Sequence, residues 1–96
     1  MAKCIMQCVE DVEPGSNENE FILQLNVVFL GTGVPGGVVS GPGPDGSGRV
    51  PCTINITQLA QYVNNVEDAM LAEAVRLGVT GLGRADCLIM SYQRGA

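Results

Sequence analysis

Residues 31–48 hold eight of the chain's thirteen glycines and three of its five prolines, and they follow directly on a strongly apolar segment. Glycine loses the most backbone freedom on ordering and proline brings no ladder donor, so this stretch reads as an extended arm or loop rather than a core element. An arm of this composition takes a single shape only when partners outside it supply the contacts. At 96 residues there is room for one domain, residues 1–96, with the arm inside it.

Two strands are expected before the arm. Residues 3–12 place Cys4, Met6 and Cys8 on one face and Lys3, Gln7 and Asp11 on the other, although Ile5 and Val9 blur the alternation. Residues 20–30 alternate more cleanly, with Phe21, Leu23, Leu25, Val27 and Phe29 sharing one parity against Gln24 and Asn26. Glu13-Pro14-Gly15-Ser16-Asn17 between them has turn chemistry, which makes an antiparallel hairpin.

After the arm, residues 50–56 alternate Cys52, Ile54 and Ile56 against Thr53 and Asn55, and Pro51 places this strand at an edge or at its own start. A helix follows. Leu59, Tyr62, Val63, Val66, Met70, Ala74 and Leu77 recur at three and four, opposite Gln58, Gln61, Asn65, Asp68 and Arg76. Asn55 or Thr57 is placed to cap its start and Gly78 to close its end. Residues 79–84 read as a loop and 86–92 as a last strand, apolar on both faces through Cys87, Leu88, Ile89 and Met90, hence central or sandwiched. The order β-β-arm-β-α-β predicts an α+β fold: one helix packed on a small, mostly antiparallel sheet. A sandwich in which Val38 and Val39 add a strand inside the arm is the alternative.

Composition narrows the function. Apolar residues make up 46% of the chain and charged ones 16%, below the roughly 25% usual for soluble domains, so burial between subunits is the expected fate of the excess. Glu10, Asp11, Glu13, Glu18 and Glu20 concentrate negative charge in residues 10–20, which contain no Lys or Arg. Lys3, Arg49, Arg76, Arg84 and Arg94 are scattered, with no stripe to neutralise several phosphates, and nucleic acid is not an expected partner. The uncharged residues 21–44 fill with Gly and Pro after Leu30, so no spanning helix fits and no membrane is expected. Glu10 interrupts the N-terminal apolar run before it becomes a secretory signal, so synthesis in the cytoplasm is the expectation.

Four cysteines, Cys4, Cys8, Cys52 and Cys87, read as small buried hydrophobes. Cys4 and Cys8 stand roughly 13 Å apart in an extended strand, too far to bridge or to share one metal. Gly31-Thr32-Gly33-Val34-Pro35-Gly36 spells G-x-G-x-x-G after a strand, but prolines and further glycines exclude the helix that would receive a pyrophosphate. The chain has no histidine and its single lysine is near the terminus, so no activated nucleophile is visible. No enzyme activity and no cofactor are expected.

The layout of a first strand running into Val9-Glu10-Asp11-Val12-Glu13-Pro14-Gly15, an apolar second strand, a Gly/Pro arm, one helix and a closing strand resembles the small accessory structural proteins of tailed-bacteriophage virions. The resemblance implies a capsid decoration or cement protein, or a head-tail accessory protein. Its expected partners are copies of itself and other virion proteins, and its expected location is the virion. The expected interaction residues lie in the arm: Gly33, Val34, Pro35, Val38, Val39, Pro42 and Pro44. The alternative is a small ligand- or cation-binding module, with the glycine-rich segment as a lid and the acidic turn as its recognition element.

Overall fold

A computed structural model describes residues 2–34, 38–40 and 49–89. Strand β1 (Ala2–Pro14) and strand β2 (Glu20–Gly31) form the expected antiparallel hairpin. Its turn closes by an N–H···O bond from Gly15 to Glu20 of 2.8 Å, and the Asn17 side chain accepts from the Asn19 N–H at 2.9 Å. The blurred alternation of β1 has a structural cause. The pairing slips between Met6 and Cys8 and again between Val9 and Asp11, so the buried set changes parity from Ala2, Cys4 and Met6 to Val9. Cys8 is left half-buried.

Strand β3 (Val38–Ser40) and strand β4 (Val50–Asn55) both run antiparallel along the other edge of β2. β3 pairs with Val28, Phe29 and Leu30, and β4 with Glu20 through Leu25. Val38 and Val39 therefore do form a strand, in the same sheet rather than in the second layer of a sandwich. Pro51 sits in β4 opposite Gln24, on a strand whose other edge is unpaired among the described residues, as its missing donor requires.

A 3-10 turn, Ile56–Gln61, precedes helix α1 (Tyr62–Leu77). Asn55 caps that turn, its carboxamide oxygen accepting from the Thr57 N–H at 2.9 Å and from the Thr57 hydroxyl at 2.6 Å. Gly78 ends α1 in the left-handed conformation, φ 79°, with its N–H directed at the carbonyls of Ala74 and Val75. Val66, Met70 and Ala74 bury against the sheet, as their spacing predicts, and meet Cys4, Met6, Leu25, Val27, Phe29, Val50, Cys52 and Ile54 in one core. Leu59 does not join them, because the 3-10 segment turns at a different pitch and Gln58 departs from helical geometry, leaving Leu59 60% exposed.

Strand β5 (Cys87–Ile89) pairs in parallel with β1, Cys4 facing Cys87 and Met6 facing Ile89. It ends the strand order β3-β2-β1-β5 and its Leu88 is 53% exposed, which corrects the expectation of a central strand. An apolar run reports burial on some surface without naming a sheet position. The remainder of that expected strand, residues 90–92, lies outside the described residues. The fold is α+β: one helix on a curled, mostly antiparallel sheet.

Candidate functional site

The arm departs through a fixed anchor. Gly31 and Gly33 adopt φ of 103° and 94°, and the Thr80 N–H donates to the Gly33 carbonyl at 3.0 Å. Val34 is buried, as is Val79 in the loop leaving α1. Of the expected interaction residues, Gly33 and Val34 are thus held in the protein's own fold, and Val38 and Val39 lie in β3. Pro35, Pro42 and Pro44 lie outside the described residues.

Leu59 and its neighbours make a surface that the sequence pattern does not reveal. Val12, Phe21, Leu23, Ile56, Leu59 and Tyr62 are among the side chains lining an open groove of about 240 Å³ near the hairpin turn. Val12 is 39% exposed and Ile56 44%, so its rim is apolar as well. The sole polar atom among the lining side chains is the Tyr62 hydroxyl. The groove takes Phe21 and Leu23 from the start of β2, whereas the arm leaves from its end at Gly31, roughly 26 Å beyond Leu23 along an extended strand.

The acidic segment is partly neutralised from within. Arg49 approaches Glu10 at 3.2 Å and Asp11 at 3.7 Å, and Asn26 donates to Glu10 at 2.7 Å. Glu67 and Asp68 together hold Arg84, which ties α1 to the loop before β5. Glu73, buried on α1, takes two hydrogen bonds from Arg76, at 2.9 and 2.7 Å. Among the described residues no three Cys, Asp or Glu side chains are grouped to hold a metal ion.

Cys4 and Cys87, 83 residues apart in sequence, meet in the sheet. The Cys4 thiol donates to Cys87 Sγ at 3.3 Å, and the Met70 thioether lies 3.6 Å from Cys4 Sγ. Burial raises the Cys4 thiol well above the usual range, and its hydrogen bond to Cys87 raises it further. Cys87 is also raised by burial, while the bond it receives from Cys4 acts the other way. Cys52, buried in β4, is pushed up to about 11 by burial and by the charge of Asp68.

The chain matches no known family, no curated protein and no solved structure. Among the described residues no helix is long and apolar enough to cross a membrane.

Proposed function

We propose that this is a structural or assembly protein that acts through subunit-subunit contacts. Within that reading, its place is as a capsid decoration, cement or head-tail accessory protein of a tailed-phage virion. The observation that carries the assembly reading is the apolar groove with its rim of Val12, Ile56 and Leu59. Small-molecule sites usually occupy about 300–1,000 Å³ and orient the ligand through a few converging polar groups. This groove is smaller and nearly without polar atoms, which suits an apolar side chain of a neighbouring subunit better than a soluble metabolite.

Light scattering across a concentration series tests the reading. A concentration-dependent oligomer is expected, and Leu59→Asp, at an exposed position, is expected to weaken association while leaving thermal unfolding of the subunit unchanged. A monomer at every concentration, with saturable uptake of an apolar fluorescent probe that Leu59→Asp abolishes, would replace assembly with ligand binding. Copurification with purified phage particles tests the virion assignment separately.

A further inference from the structure

We infer that Cys4 and Cys87 form a reversible intramolecular disulfide that locks β5 to β1. The two residues are direct partners in a parallel strand pair, and their sulfurs face each other at 3.3 Å. Neighbouring strands lie about 4.8 Å apart, inside the Cα separation that a disulfide spans, and the sulfurs need approach by only about 1.3 Å more. A tetrahedral metal would instead need the sulfurs further apart, at about 3.8 Å.

The roles of the two thiols differ. Cys87 is half-buried and accepts the hydrogen bond from Cys4, so it is the sulfur that an outside reagent meets and whose thiolate has a donor beside it. Cys4 is fully buried behind it and acts second. With a small-molecule disulfide such as oxidised glutathione as the oxidant, the Cys87 thiolate attacks one glutathione sulfur. The S–S bond of the reagent breaks, one glutathione thiolate leaves and takes up a proton, and a mixed disulfide remains on Cys87. Cys4 then attacks Cys87 Sγ, its proton passing to the departing second glutathione thiolate. Two protein thiols are oxidised and one reagent disulfide is reduced to two thiols.

The consequence is mechanical. Among the described residues β5 pairs over three positions, and its open edge has no strand partner. A covalent link at Cys87 closes almost the whole chain into a loop and keeps β5 from peeling off. Reduction returns it to three paired positions. This device is independent of the assembly reading.

The test incubates the folded full chain with excess oxidised glutathione and follows intact mass under non-reducing conditions. The expected result is a monomer lighter by about 2 Da, with two thiols still open to alkylation after unfolding. Cys8→Ser is expected to keep that loss, while Cys4→Ser and Cys87→Ser each abolish it. Circular dichroism confirms that the variants are folded, and Cys87→Ser, at the half-buried position, decides the matter where Cys4→Ser does not fold. Hydrogen exchange at Leu88 should slow on oxidation and recover with dithiothreitol. A stable glutathione adduct, a disulfide-linked dimer, unchanged mass, or a bond that survives in Cys87→Ser would each overturn the inference.

Discussion

The N–H of Thr80 donates to the carbonyl of Gly33 at 3.0 Å, so the chain leaving β2 and the chain leaving α1 are tied together within the first three residues of the glycine-rich arm. Gly33 holds φ at 94°, and a Cβ there would lie 2.5 Å from the Thr80 carbonyl oxygen. Gly33→Ala is expected to cost about 1–3 kcal/mol in urea denaturation, from strain and from loss of this contact. Gly81 also has positive φ, at 76°, but its Cβ would meet nothing within 4 Å, so Gly81→Ala should cost less. Equal losses at both positions would show that conformation alone, not the contact, accounts for the Gly33 effect.

Alkaline pH should unfold the protein through its buried thiols. The Cys52 thiol is pushed from 9.0 up to about 11 in the folded state, so the folded protein keeps a proton that the unfolded chain gives up. Its contribution is fully present below pH 9 and is lost as pH rises through about 11, amounting to about 2–3 kcal/mol. Cys4 and Cys87, also raised, act with the same sign. Chemical denaturation between pH 8 and 11 should show this decline, and Cys52→Ala should make it shallower while lowering stability at pH 7.

Asn55→Ala removes the acceptor for the Thr57 N–H and hydroxyl at the start of the 3-10 segment. A loss of about 1 kcal/mol is expected from thermal or urea unfolding. Asn55→Asp, which keeps the acceptor, should recover most of it.

Glu73 and Arg76 should respond unequally to substitution. Arg76→Ala leaves a buried carboxylate without the guanidinium that gives it two hydrogen bonds, and lower stability is expected. Glu73→Met introduced into Arg76→Ala should restore stability, because an apolar side chain of similar length needs no partner. Urea midpoints of the two single variants and the double variant measure the coupling.

What the sequence discloses here is whatever depends on neighbours in the chain. The hairpin, the edge position of the strand with Pro51 and the Gly78 stop follow from local periodicity and turn chemistry, and each is present, whereas Asn55 caps the 3-10 segment and helix α1 itself begins after Gln61 without a side-chain cap. The residues missed are set by distant contacts. The slips in β1 that bury Val9 depend on its pairing with β2, the edge location of β5 depends on which strand it finds, and Cys4 meets Cys87 across 83 residues. The spacing of Leu59 fits a continuous helix, whereas the 3-10 turn swings it to the surface groove. Buried Glu73 gave one local signal, Arg76 three residues on, which the apolar pattern overshadowed.

Both ends of the segment between β3 and β4 are anchored on one strand. Ser40 lies beside Val28 and Val50 beside Leu25, three residues apart along β2, or roughly 10 Å. Nine residues join two ends that three would span, so the length of the connection does not set the sheet register. Lengthening it twofold should raise the closure cost by only about 0.6 kcal/mol. The same scaffold can therefore carry inserts of different size at this port, displaying a foreign epitope or tag from two fixed posts without rethreading the strands that hold it.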